Sequence, residues 1–387
     1  MEKASQQAHL SVRGRTVRIA GTVGAIIVSA TAVLLIAFLA LRRDRSATPL
    51  AFSGDSSALK ATVIVPTLDT PAPAGRNVVW CASFQAAWDG LKDDVAKGPV
   101  RIAGAEELCG RLNAAALSEA DLPSEGFYSA AGLVRDGIVG TIRSEMGRRF
   151  PAAPPPEFGP LDTGGFVAYG YLAAGAKFTV PFFENDEDLV FTGSNGGKTA
   201  VASFGIRRKD DYAYRRLREQ VGVLYSGRVM GTPGTGCEFV IDPCRDSSPN
   251  QILLARIAPR STLAATLAEL DARVAEGPSD GMNTFGTNEV LLVPNMRFEI
   301  AHRFRELEQK HLSAAGLENA RIDVAAQAIT FRLDRSGAEL TSEAKVHAAP
   351  VPRHFIFDRP FLVVMKKRSA GKPFFAMWVD NAELLCK

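Results

Sequence analysis

The stretch from Ala328 to Leu385 reads AITFRLDRSGAELTSEAKVHAAPVPRHFIFDRPFLVVMKKRSAGKPFFAMWVDNAELL. Ala328 to Asp334 alternate as a strand does, with Ile329, Phe331 and Leu333 on one side and Thr330, Arg332 and Asp334 on the other. Phe355 to Met365 is a second strand-like run, interrupted by Pro360, and Phe374 to Val379 is a third, wholly apolar one. Lys366 to Lys372 is a basic turn closed by Gly371 and Pro373, so the second and third runs are expected to pair as a hairpin. Between the first strand and that hairpin lies Gly337 to Arg353, which is polar, Ala-rich and punctuated by Pro350 and Pro352. It carries no helical stripe and too little apolar surface to form a core of its own. Long connectors held between core strands are commonly functional.

In order and spacing these residues resemble the C-terminal third of the serpins. The family's strand runs into an Asn-Glu-Glu-Gly-Thr-Glu-like hinge, matched here by Asp334-Arg335-Ser336-Gly337-Ala338-Glu339. Its Phe-x-x-Asp-Arg-Pro-Phe strand is matched by Phe355-Ile356-Phe357-Asp358-Arg359-Pro360-Phe361. Its last apolar strand is matched by Phe375 to Asn381, with Trp378 and Ala382 as departures. Phe166 to Phe191 is similar to another of its strands, with Pro181 and Phe182 in place and Phe178 where the family has a tryptophan. The resemblance implies an α+β fold of large mixed and antiparallel sheets with surrounding helices. It also implies a mechanical activity: an exposed loop is offered to a serine or cysteine protease, cut, and inserted as a strand into a large sheet. On that reading Gly337, Ala338, Glu339, Leu340, Thr341 and Ser342 are the hinge. The scissile region falls within Ala349, Pro350, Val351, Pro352 and Arg353. Residues 338 to 346 alternate between Ala338, Leu340, Ser342, Ala344 and Val346 and the charged or polar Glu339, Thr341, Glu343 and Lys345, which suits insertion. Pro350 and Pro352 suit it less, because proline after a scissile bond lacks an N–H and fixes φ. The alternative is a non-inhibitory serpin-fold binding or scaffold protein whose loop is a static connector.

The other end of the chain implies a membrane. Met1 to Arg18 is a short basic tail. Ile19 to Leu41 is 23 residues without a charge, roughly 34 Å as a helix and long enough for a bilayer core of about 30 Å. Arg42, Arg43 and Arg45 follow at once, with no small-residue cleavage site. A single-pass anchor is expected, with the large C-terminal domain outside the cytoplasm. Arg42 to Arg76, with Pro49, Pro66, Pro71 and Pro73, is expected to be an extended linker containing a short strand near Ala61 to Val65. The folded domain is then expected over residues 77–387.

Within that domain Asn77 to Asp89 reads as a strand running into a helix with Trp80, Phe84, Ala87 and Trp88 inward. Gly98 to Arg149 reads as mainly helical, Ser261 to Val274 as a helix capped by Ser261, Glu289 to Ile300 as a strand pair, and His302 to Ala315 as an amphipathic helix. Gly193 to Thr199 misses the phosphate-binding glycine register and reads as a hairpin turn.

Composition excludes several classes. The chain is 46% hydrophobic and 22% charged, with net charge +3, so it is globular and gives no reason to propose nucleic acid. It has no nucleophile elbow, no HExxH and no dinucleotide fingerprint, and its five histidines stand apart, so no enzyme activity, cofactor or metal is expected. The five cysteines leave two readings open, a local disulfide between Cys237 and Cys244 or five separate thiols.

Overall fold

The computed structural model describes residues 48–387 apart from 116, 176, 208–212, 228–236, 314–319 and 337–352. Three sheets organise them. The first has the order β1-β14-β15-β5-β4: β1 (Phe52–Asp55), β14 (Met296–Arg303), β15 (Ile322–Leu333), β5 (Phe166–Gly175) and β4 (Phe127–Leu133). The second has the order β10-β11-β12-β17-β18-β3-β2: β10 (Gly222–Ser226), β11 (Phe239–Asp242), β12 (Asn250–Arg256), β17 (Phe361–Lys367), β18 (Pro373–Val379), β3 (Asn77–Cys81) and β2 (Thr62–Val65). The third is β16 (His354–Ile356), β13 (Val290–Pro294), β9 (Ser203–Ile206) and β6 (Phe183–Glu184). A separate hairpin joins β7 (Leu189–Thr192) to β8 (Lys198–Val201) through the glycine-rich turn, as its sequence implies. The helices are α1 (Ala82–Gly90), α2 (Glu106–Ala114), α3 (Ile138–Arg149), α4 (Ala213–Gln220) and α5 (Leu263–Glu276).

The first half of the β5/β15 pair is covered on both faces, and β5 reads as a nearly continuous apolar run, whereas the second half of β15 alternates, with Thr330 half-buried and Arg332 exposed on the outer side. One face meets the seven-stranded sheet and α1. There Phe331 stacks between Phe298, at 5.3 Å, and Phe375 of the other sheet, at 4.7 Å. The other face carries a smaller core, in which Ile142 and Met146 of α3 and Phe158 pack on Val167, Tyr169, Tyr171, Val324 and Ala326.

Several expectations are corrected. The segment from Pro49 to Arg76 is not a free linker. β1 adds in parallel to the edge of the five-stranded sheet and β2 in parallel to the edge of the seven-stranded one, so the folded unit begins at Pro49 rather than Asn77. An edge strand needs mainly a backbone ladder, which a Pro/Ser/Thr-rich sequence can still supply between its prolines. The region from Gly98 to Arg149 contains a strand, β4, between α2 and α3. His302 is not helical, because β14 continues its ladder to Arg303, opposite Ala326; Phe304, Leu307 and Leu312 are buried nonetheless. Thr262, not Ser261, caps α5, its hydroxyl accepting from Ala265 N at 3.1 Å. No disulfide joins Cys237 and Cys244. The buried Cys244 Sγ lies 3.4 Å from the backbone N of Thr179 instead. Among the described residues no helix is long and apolar enough to cross a membrane, and Ile19 to Leu41 lies outside them.

Candidate functional site: a parallel seam in the five-stranded sheet

β5 and β15 lie side by side in parallel over ten registered pairs, from Ile322 opposite Phe166 to Arg332 opposite Gly175. Each is antiparallel to its other neighbour, β4 and β14 respectively. One strand slid between them, running against both, would turn a single parallel ladder into two antiparallel ones, which are slightly more stable per residue. The chain that leaves β15 at Leu333 is already at the end of this seam, and it must reverse direction to return.

The middle of the seam is fastened from behind. Gln327 faces Gly170 across the ladder and is 1% exposed. Its amide nitrogen donates to Cys81 O at 3.0 Å and to Ser83 Oγ at 2.9 Å, at the point where β3 becomes α1. Its amide oxygen is buried without a hydrogen-bond partner. Gly170 is required here: a Cβ would stand 2.4 Å from Ser83 O, so the helix start sits directly against the seam. Burial also pushes the Cys81 thiol up to about 12, which keeps it neutral and inert.

The two ends differ. At the lower end Asp323 is buried, accepts from Asp162 N at 2.7 Å and pairs with Arg321 at 2.8 Å. At the upper end Arg332 pairs with Asp334 at 2.6 Å and donates to Ser336 Oγ at 3.1 Å, while Ser336 N donates to Asp334 Oδ1 at 2.8 Å. Phe182 N donates to Arg335 O at 3.1 Å, which ties this exit to the third sheet. Phe178, Phe182 and Phe204 cluster beneath it, so the phenyl ring that replaces the expected indole is fully buried.

Of the residues singled out in the sequence, Gly337 to Ser342 and Ala349 to Pro352 lie outside the described residues. Arg353 lies inside them, and it is anchored rather than presented. Its guanidinium bonds to both Glu289 oxygens, at 2.5 and 3.2 Å, and to the carbonyls of Met282, at 2.9 Å, and Thr284, at 2.8 Å. It also lies over the Phe355 ring. The Asp358-Arg359-Pro360-Phe361 motif has a structural role next to it. Asp358 meets the buried Arg256 at 3.1 Å, and Arg256 also donates to Ile356 O. Burial holds the Arg256 guanidinium below its usual range, and Asp358 opposes that shift. Sequence reasoning did not single out Gln327, Gly170, Ser83 or Glu289. The one available signal was Gln327, a lone amide at an inward position of an apolar strand, where a polar group is stable only if bonded.

Among the described residues no cluster of His, Cys, Asp and Glu could hold a metal ion.

No family profile and no curated protein matches the sequence. Similarity to solved structures lies in the fold, at 13–14% sequence identity. Native protease nexin-1 with heparin superposes with a TM-score of 0.41 at 14% identity, over 63% of this chain and 65% of that one. Serine protease inhibitor (serpin)-12 of Manduca sexta gives 0.41 at 13%, over 64% and 66%. Serpin48 of the insect Tenebrio molitor, described as highly specific, gives 0.43 at 13%, over 79% and 92%. The chain bears a distant structural similarity to serpins. It spans just under two thirds of the first two of these structures.

Proposed function

We propose that this protein is a membrane-anchored, serpin-like inhibitor of a serine-type or cysteine endopeptidase, held by Ile19 to Leu41 with its large domain outside the cytoplasm. The observation that carries the proposal is the parallel β5/β15 seam, from whose end β15 feeds directly into the segment 337–352. In the proposed cycle the protease cuts that segment. The freed N-terminal part then turns at Asp334 to Ser336 and enters the seam against both strands. Ala338, Leu340, Ser342, Ala344 and Val346 would share one face of the inserted strand. Arg353 and Glu289 hold the C-terminal side in place, so that cutting separates a moving part from a fixed one.

The experiment incubates the full chain in detergent micelles with a panel of serine and cysteine proteases. An SDS-stable complex with at least one of them is the expected result. Cleavage of the loop by every member without any stable complex would overturn inhibition. It would favour a non-inhibitory scaffold, a reading that Pro350 and Pro352 support.

A further inference from the structure

We infer that the open edge of the five-stranded sheet, strand β4, joins two copies of this chain as a two-fold dimer. The inference stands apart from the inhibitor reading. Among the described residues β4 pairs with β5 alone. That ladder fixes which of its backbone groups are left over. Ala173 N donates to Gly126 O and Val134 N to Gly165 O, one step beyond either end of the β4/β5 register. Bonded pairs alternate along an antiparallel ladder, so Tyr128, Ala130 and Gly132 turn their N–H and C=O groups towards β5. Phe127, Ser129, Ala131 and Leu133 turn theirs outward. Arg149 Nη2 donates to Phe127 O at 2.8 Å. The backbone groups of Ser129 and Ala131 have no partner among the described residues, although neither residue is buried.

Sheet edges in native proteins are kept short, charged, kinked, bulged or covered, because an open ladder accepts another strand. The other edges of this domain follow that rule. β1 is kinked at Gly54, with φ 144°, and carries Asp55. β10 slips register between Val223 and Tyr225. β2 stops at Pro66, and β6 and β16 are two and three residues long. β4 has none of these devices. It is seven residues, FYSAAGL, with no charge, no proline and no break in register. Its sequence also fits its own reverse. In an antiparallel pair centred on Ala130, Ser129 meets Ala131 of the second copy and Phe127 meets Leu133, on the side of the main core. On the other side Tyr128 lies across from Gly132, and Ala130 meets itself on the axis, so bulk is set against little and the centre is small. This register places the outward backbone groups of each copy opposite those of the other, and the contact is isologous. α3 is compatible with it. A Cβ on Gly132 would touch Ile138 at the start of α3, and Arg149 at its end lies over the Tyr128 ring at 5.6 Å, so α3 runs counter to β4. In the dimer the two α3 helices are antiparallel. The Arg149 end of each meets the start of the other, where Arg135 and Asp136 pair at 3.9 Å and cancel.

The test uses the full chain in detergent micelles, in a Cys237→Ser background. Light scattering corrected for bound detergent should give the mass of a dimer. On the axis the two copies of Ala130 form a non-hydrogen-bonded pair with Cα atoms about 4.5 Å apart, within disulfide range. A mild oxidant should therefore convert Ala130→Cys into a reducible covalent dimer. Ala268→Cys, exposed on α5, should stay monomeric on the same gel. Ala131→Pro removes an outward N–H and no β4/β5 bond, so it should weaken association by about tenfold or more while the domain stays folded. Ala130→Lys sets two like charges on the axis and should act the same way, which keeps the test open if the proline variant does not fold. A monomeric parent chain overturns the inference. So does cross-linking as fast at Ala268→Cys as at Ala130→Cys, or a dimer that neither Ala131→Pro nor Ala130→Lys weakens.

Discussion

Arg353 offers the sharpest quantitative expectation. Its side chain is 10% exposed and that of its partner Glu289 5%. Replacing Arg353 by alanine leaves the Glu289 carboxylate buried, with only the Gly286 N–H, at 2.6 Å, still bonded to it. The carbonyls of Met282 and Thr284 lose their donors as well. Removing one partner of a buried pair costs about 3–5 kcal/mol. A domain of about 340 residues unfolds with an entropy near 0.7 kcal/mol/K, so the midpoint should fall by roughly 4–7 °C. Calorimetry of the full chain in micelles reads this directly. The drop should persist at high salt, because a buried pair is little screened. Joint replacement by Arg353→Met and Glu289→Leu should recover most of it, since no buried charge is then stranded; Asp280, which also pairs with Arg353 at 3.4 Å, is 39% exposed. Native protein should also resist trypsin at the Arg353–His354 bond. A single-variant shift under about 1 °C, or a double variant no better than the single, would refute the claim that this pair anchors the chain.

Three further outcomes follow from the seam and its surroundings. Gly170→Ala places a methyl 2.4 Å from Ser83 O; because both clashing groups are backbone-fixed, a loss of several kcal/mol is expected, visible as a greatly lowered midpoint or as insoluble protein. Gln327→Leu removes the two bonds to Cys81 O and Ser83 Oγ, and amide exchange along β5 and β15 should quicken by about 5- to 30-fold, corresponding to about 1–2 kcal/mol. Burial pushes His302 down to about 4 from 6.5, with Asp55 opposing and Arg305 reinforcing the shift. The unfolded chain therefore takes up the proton first, so this contribution is present above about pH 6.5 and is lost as pH falls towards 4. His302→Asn should flatten the stability slope in that window, and an unchanged slope would exclude His302 as its source.

The strands that could be read from sequence were those whose own residues carry the signal. β15, β17 and β18 alternate or run apolar between turn residues, and β3 passes into α1 with Phe84 and Trp88 inward. β4 was hidden because its small residues meet close neighbours: a Cβ on Gly132 would lie 3.3 Å from Ile138. β1 was hidden because it is exposed and held by a ladder rather than by side chains. The seam itself could not be read locally. Val167 and Val324 share a register across more than 150 residues of chain, and no short window shows which strands become neighbours. The Arg353 anchor was out of reach for the same reason, since Glu289 and the Met282 and Thr284 carbonyls come from a distant segment.

The central claim is that the segment leaving β15 can become a strand between β5 and β15. The direct measurement is the melting midpoint of the full chain before and after a single cut placed between Lys345 and Arg353. Insertion should raise the midpoint, by about 1.5 °C for each kcal/mol gained, and should slow amide exchange on both flanking strands. A midpoint that stays the same or falls, with unchanged exchange in β5 and β15, would contradict the account.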